Sequence, residues 1–187
     1  MSFKKTIACD QYRVYGSIGK IGLVKLLVSN PGFKYIYVLR KCMYLNNKKN
    51  KFSYYFYRLL LKKYEIKYGI EMSPKNKIGD GLYIGHIGGI VLNSKVILGK
   101  NVNILKGALI GYNPRGQYHG SPVIGDDVWI GPNSVIVGNI KVGNNVVIAP
   151  NSFVNRDVPD NTIVFGNPAQ YKYSEAATKE YINYKCY

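Results

Sequence analysis

The sequence contains two histidines, His86 and His119, and each lies where a regular pattern is interrupted. A neutral imidazole can take a proton from a hydroxyl group and pass it on near neutral pH, so each is a candidate general base. A carboxylate can orient such an imidazole and raise its basicity. Glu71 lies 15 residues before His86 and is the candidate for that role. These residue types indicate activation of a hydroxyl group.

The sequence offers little support for other kinds of catalysis. A zinc site of the hydratase type needs three imidazoles around one metal. This chain has two histidines and no cysteine between residues 71 and 169. It also contains no nucleophile elbow, phosphate-binding loop or dinucleotide fingerprint. We therefore expect no metal.

An aliphatic residue returns every six residues along the segment that must position the histidines. A period of six is typical of a parallel β-solenoid, in which each repeat contributes one short strand and one corner. His86 then falls near an outward-facing corner, and His119 falls on an extruded loop, residues 112–122. With a coil of 18 residues, Glu71 is expected about one coil below His86. The repeating aliphatic residues are Ile78, Ile84, Ile90, Leu98, Ile104, Ile110, Ile124, Ile130, Ile136, Val142, Ile148 and Val154.

The net charge of +16 is concentrated in residues 1–70, which hold 12 Lys and 3 Arg against Asp10 and Glu65 and so carry +13. This segment also holds ten of the 18 tyrosines. Basic, aromatic-rich surfaces suit an anionic membrane, and a solvated Lys-rich helical face remains an equal alternative. Nucleic acid ranks last, and we expect none as a partner.

Three regions follow from these patterns: a helical region (1–70), the solenoid (71–169) and a tail (170–187). The sequence predicts an irregular lead-in (1–15), a helix over Gly16–Val28 and a second helix that Asn30 caps before Pro31. A polar loop, Asn46–Lys51, then precedes a third helix that Ser53 caps and that runs to Tyr68. None of these helices is long and apolar enough to cross a bilayer. We expect another helix in the tail.

Cys9, Cys42 and Cys186 are odd in number and far apart. They show no spacing typical of zinc or of a redox motif. No secretory signal follows the first methionine. The expected location is therefore the cytoplasm, with or without contact at the inner membrane face, and the expected state of the cysteines is the free thiol.

Several stretches resemble the serine acetyltransferase branch of the hexapeptide-repeat acyltransferases over residues 31–170. They are GDGLYIGHIGGIVLN, NILKGALIG, IGDDVWIGPNSVIVGNIKVG and the ending DVPDNTIVFGNPAQ. The resemblance implies a left-handed parallel β-helix that assembles as a homotrimer. It also implies acetyl-CoA in the groove between neighbouring prisms and direct acyl transfer.

The resemblance also implies roles for individual residues. His86 matches the catalytic base, and Glu71 matches an aspartate that pairs with it. His119 matches a loop histidine of the acceptor site that acts across the subunit boundary. Four further residues match positions that contact the cofactor: Gly111, Pro132, Pro150 and Arg156.

The chain departs from that family at two charged positions. Gly85 replaces an aspartate before the base, and Tyr118 replaces an arginine before the loop histidine. These groups would hold the ammonium and carboxylate of an amino acid through contacts worth roughly 1.5–3 kcal/mol each. We therefore expect an acceptor site, with Gly85, Tyr118 and His119, for an uncharged sugar hydroxyl of a capsule or lipopolysaccharide or its lipid-linked precursor. The alternatives are serine O-acetylation, N-acetylation of an amino sugar and a non-catalytic trimeric scaffold at the membrane surface.

Overall fold

The computed structural model describes residues 2–48 and 51–187. Its N-terminal region contains a helix where the sequence predicts an irregular lead-in, because one face of that helix is buried against the rest of the chain. Of the predicted polar loop, Asn46 and Asn47 end one helix and Lys51 begins the next, and residues 49 and 50 lie outside the described residues. The helices are α1 (Phe3–Tyr15), α2 (Lys20–Ser29), α3 (Pro31–Asn47) and α4 (Lys51–Tyr68).

The predicted start of α3 is confirmed, and the predicted start of α4 is wrong. The Asn30 side chain accepts a hydrogen bond from the Phe33 amide at 2.8 Å, and Pro31 occupies the first turn. Ser53 lies inside α4, which begins at Lys51. Among the described helices, none is long and apolar enough to cross a membrane.

The ladder of aliphatic residues forms a parallel β-helix with three walls. The chain visits walls A, B and C in turn, and each strand pairs in parallel with the strand one coil away. Wall A contains β1 (Ile70–Glu71), β4 (Ile90–Leu92), β7 (Leu109–Gly111), β10 (Val135–Val137) and β13 (Phe153–Val154). Wall B contains β2 (Lys77–Ile78), β5 (Ile97–Leu98), β8 (Val123–Ile124) and β11 (Lys141–Val142). Wall C contains β3 (Tyr83–Ile84), β6 (Asn103–Ile104), β9 (Val128–Ile130), β12 (Val146–Ile148), β14 (Thr162–Phe165) and β15 (Gln170–Tyr173).

The core of this prism consists of the residues that define the sequence period. Every repeating aliphatic residue from Ile78 to Val154 is at most 5% exposed. The parallel β-helix predicted from the sequence is thus confirmed. The loop 112–122 accounts for the break in the period, since 26 residues separate Leu109 from its partner Val135, against 18 between Val91 and Leu109.

The corners of the prism need residues that tolerate unusual backbone geometry or close contact. Asn101, Asn133 and Asn145 have φ between 54° and 57°, in the left-handed region that asparagine enters more readily than most residues. Elsewhere glycine is required by space. A Cβ on Gly79 would lie 2.4 Å from the carbonyl oxygen of Gly99 in the next coil.

A buried ion pair fixes helices α1 and α3 to the first coil. The guanidinium of Arg40 donates to both carboxylate oxygens of Asp10, at 2.9 and 3.2 Å, and to the carbonyls of Ile78 and Gly79. The Asp10 carboxylate also accepts from the amides of Gly81 and Leu82. The helices therefore adopt one position relative to the prism.

The tail does not form the helix that the sequence predicts. Strand β15 pairs antiparallel with β14, and the chain then runs through turns over the outer face of wall C. There Tyr181 packs against Trp129 with ring centroids 4.7 Å apart. Strand pairing satisfies the β15 backbone better than an isolated polar helix would.

The tail ends beside α1, and this corrects the prediction of three free thiols. The backbone amide of Cys186 donates to the Asn101 side chain at 2.9 Å. Cys186 is disulfide-bonded to Cys9, with their Cα atoms 5.6 Å apart, whereas Cys42 is a buried free thiol. Their separation of 177 residues gave no local signal of this pairing.

Candidate active site

The predicted site residues lie along the two edges of wall A. The corner between walls C and A, here the C–A corner, follows β3, β9 and β12 and carries His86, Pro132 and Pro150. The corner between walls A and B, here the A–B corner, carries Arg156 and the loop 112–122, next to Gly111 at the end of β7. Within one chain, the width of wall A therefore separates the two groups.

His86 is exposed on the C–A corner. Its imidazole has no hydrogen-bond partner within residues 2–48 and 51–187. The following backbone is well held, because the Gly88 carbonyl accepts from the Gly107 amide at 2.8 Å and Gly69 lies against Gly88 and Gly89. A rigid corner thus presents an imidazole that is free to meet a substrate.

Gly85 is crowded by side chains rather than open. A Cβ at this position would lie 2.4 Å from Cδ2 of Leu105 and 3.3 Å from Cε1 of Tyr83. A carboxylate could enter here only if Leu105 moved. The surface next to the base is therefore apolar and aromatic.

Glu71 lies on the outer face of wall A, and its predicted register is wrong. It pairs with Val91 on β4, because the first coil contains 20 residues instead of 18. The Glu71 carboxylate and the His86 imidazole do not hydrogen-bond to each other, and in the described chain Glu71 has no ion-pair partner. Glu71 instead lines a cleft of about 500 Å³ between wall A and α4.

An ion cluster on α4 forms the other side of this cleft. Arg58 and Lys62 contact the Glu65 carboxylate at 3.0 and 3.2 Å. Glu65 is buried, and its charge together with burial raises the pKa of the nearby Tyr35 phenol. The sequence analysis missed this cluster, although the i, i+3 spacing of Lys62 and Glu65 was a usable signal.

The loop histidine is held by a tyrosine that the sequence analysis also missed. His119 Nε2 and the Tyr112 hydroxyl are 2.5 Å apart, and Tyr112 lines the same cleft as Glu71 and Gly111. Lys95 lies 5.2 Å from the centroid of the Tyr112 ring. This contact positions the His119 imidazole at the A–B corner.

Tyr118 and Arg156 both make contacts within the chain. Tyr118 is half-buried against the core, and its carbonyl accepts from the Asn139 amide at 2.9 Å. The Arg156 guanidinium donates to the Tyr171 hydroxyl at 3.0 Å and to the Ala169 carbonyl at 2.7 Å. Tyr118 therefore anchors the loop, and Arg156 keeps N–H groups available for an anion.

The two corners fit parts of a CoA molecule. Pro150 is exposed and Pro132 half-buried, so the C–A corner offers a smooth, apolar edge for a pantetheine arm. Arg156, which is exposed, could receive a phosphate. Among the described residues, no group of three His, Cys, Asp or Glu side chains is placed to hold a metal ion.

Comparison with known proteins agrees with this fold. Residues 121–156 match the family described as bacterial transferase hexapeptide (six repeats). Serine acetyltransferase 1, chloroplastic, of Arabidopsis thaliana is 44% identical over 103 residues, which are 55% of this chain and 33% of that protein. The chain thus spans about a third of the length of this relative.

Two solved structures are similar over more of the chain. Serine acetyltransferase from Brucella abortus strain S19 has a TM-score of 0.78 and 27% identity, over 94% of this chain and 71% of that one. The Neisseria gonorrhoeae serine acetyltransferase in complex with serine has a TM-score of 0.75 and 31% identity, over 91% of this chain and 69% of that one. With a hexapeptide prism and this likeness along nearly its whole length, the chain belongs to the hexapeptide-repeat acyltransferases.

Proposed function

We propose that this chain is an acetyl-CoA-dependent O-acetyltransferase in which His86 is the general base. The supporting observation is the exposed His86 imidazole, which no other group in the described chain engages, on a rigid corner that it shares with Pro132 and Pro150. A base at this position can meet an acceptor hydroxyl and a thioester at the same time.

The reaction follows from direct attack. The acceptor oxygen bonds to the thioester carbonyl carbon while His86 takes the hydroxyl proton. The tetrahedral intermediate then collapses, the C–S bond breaks, and the imidazolium returns the proton to the CoA sulfur. Glu71, which has no cationic partner in the described chain, is the candidate to stabilise the imidazolium.

The site is proposed to form between copies in a homotrimer. His86 and His119 lie on opposite edges of wall A, so one prism cannot bring both to one acceptor. If the C–A corner of one copy faces the A–B corner of the next, the two histidines meet. The same arrangement would join Pro132 and Pro150 to Gly111 and Arg156 along one CoA molecule.

Serine is the acceptor that the comparisons favour. The similar proteins are serine acetyltransferases, and one of the solved structures contains serine. They support the serine alternative over the capsule or lipopolysaccharide sugar that the sequence analysis expected.

A sugar hydroxyl remains the second candidate because of one local observation. Leu105 and Tyr83 crowd Gly85, so the surface beside His86 lacks the carboxylate that an ammonium group would need. Tyr118 likewise offers no charge to a carboxylate. Aromatic and apolar surfaces of this kind suit the faces of pyranose rings.

The test is release of free CoA thiol by the purified protein with acetyl-CoA and either serine or a set of sugars. His86→Ala should abolish transfer because no other group in the described chain is placed to take the proton, whereas CoA affinity by calorimetry and oligomeric state should not change. Lys141→Gln on wall B is the matched control and should keep full activity. Turnover by His86→Ala would refute the mechanism, and failure of the wild-type chain to bind CoA would favour a scaffold.

A further inference from the structure

Helix α4 exposes a continuous row of large apolar side chains. Phe52, Tyr55, Phe56 and Leu59 occupy positions i, i+3, i+4 and i+7, and Ile66 lies two turns further along the same face. They are between 63% and 88% exposed. Such a row on a helix that is otherwise packed against the protein normally contacts something.

The charges on α4 are sorted by side. Its one acidic residue, Glu65, points inward and is buried against Arg58 and Lys62. Lys63 follows Leu59 by four residues and precedes Ile66 by three, so it lies within the exposed row. Lys51 and Lys67 flank the row, and in the described chain none of these three exposed lysines is ion-paired. The outer face is therefore both apolar and cationic.

We propose that this outer face, the α4 face (Phe52, Tyr55, Phe56, Leu59, Ile66, Lys51, Lys63 and Lys67), binds the surface of an anionic lipid membrane. Phenylalanine, tyrosine and leucine enter the boundary between headgroups and acyl chains, and lysines remain at the level of the phosphates. An amphipathic helix of this composition lies in the plane of the interface. This assignment does not depend on the proposed reaction.

Charge argues for a lipid surface over a second copy of this chain. A symmetric contact between two α4 faces would bring their lysines together without a carboxylate to separate them. The helical region as a whole carries +13, which adds to that repulsion. Phosphatidylglycerol or a similar anionic headgroup supplies the missing negative charge.

The test is co-sedimentation of the full chain with vesicles of phosphatidylcholine, with and without phosphatidylglycerol. We expect binding only to the anionic vesicles and loss of binding at high salt. Lys63→Gln with Lys67→Gln should weaken it roughly 30-fold, and Phe56→Ser with Leu59→Ser by more than about tenfold. The matched controls on wall B, Lys77→Gln with Lys141→Gln and separately Val123→Ser, should bind like the wild type.

Sedimentation velocity on the same variants separates the competing explanations. We expect every variant to keep the wild-type oligomeric state. A smaller particle for Phe56→Ser with Leu59→Ser would assign the α4 face to another copy and overturn the proposal. Absence of binding to anionic vesicles, or equal weakening by the wall B controls, would overturn it as well. The lysine variants change only exposed side chains, so they test the proposal even if the apolar pair impairs folding.

Discussion

Cys42 shows how strongly the surroundings of a single residue change its chemistry. It is fully buried in the core between the helices and the prism, and burial raises the pKa of its thiol to about 11. Only the thiolate reacts with alkylating reagents. Because the folded pKa lies above the ordinary value, thiol ionisation also opposes folding as the pH rises between the two values.

Counting alkylated thiols at pH 8 tests this assignment together with the disulfide. Without reductant, the native protein should take up no iodoacetamide, because Cys42 is buried and neutral and Cys9 is bonded to Cys186. After unfolding in denaturant one thiol should react, and after reduction all three. Three reactive thiols in the unreduced, unfolded protein would contradict the disulfide.

His86 and His119 could be selected from the sequence because both are rare and both interrupt a strict period. The contacts that hold them could not be selected in this way. Tyr112 reaches His119 only after the loop 112–122 closes through the Asn113 and Gly120 backbone, and the sequence does not specify that geometry. Crowding of Gly85 by Leu105 likewise arises between coils, where no linear pattern records it.

At the scale of elements, the attachment of α1 and α3 to the prism depends on Asp10 and Arg40. Both side chains are at most 3% exposed, and together they satisfy two amides and two carbonyls of the first coil. Loss of one partner leaves a buried charge without compensation. Such a loss costs far more than loss of a surface ion pair.

We therefore expect Asp10→Ala to lower the free energy of unfolding by about 3–5 kcal/mol in urea titrations. Lys62→Ala removes a contact to Glu65 from a side chain that is 62% exposed and should cost about 0–1 kcal/mol. Equal effects of the two substitutions would show that the buried pair does not hold the helices in place.

The strands and most helices were predictable because their patterns are local. The six-residue period located the walls, and Asn30-Pro31 located the start of α3. Helix α1 and the tail were not predictable in this way. α1 is stabilised by burial against distant coils, and β15 by pairing with β14, and both effects depend on tertiary contacts that override weak local preferences.

At the scale of the whole molecule, the three walls have different surroundings. The tail covers wall C, whereas wall A keeps Val91 and Leu109 more than a third exposed beside the α4 cleft. The two histidines lie at opposite edges of that exposed wall. This asymmetry follows from loop placement and tail packing, which the period alone does not determine, and it is the reason to propose a site shared between copies.

Complementation between inactive chains tests this shared site most directly. Co-expressed His86→Ala and His119→Ala chains form mixed trimers in which some interfaces combine an intact His86 from one copy with an intact His119 from the next. Random mixing at equal amounts restores about a quarter of the sites. We predict acetyl transfer near a quarter of the wild-type rate from the mixture, with little from either variant alone. Activity in the mixture no higher than the mean of the two separate variants would contradict a site formed between copies.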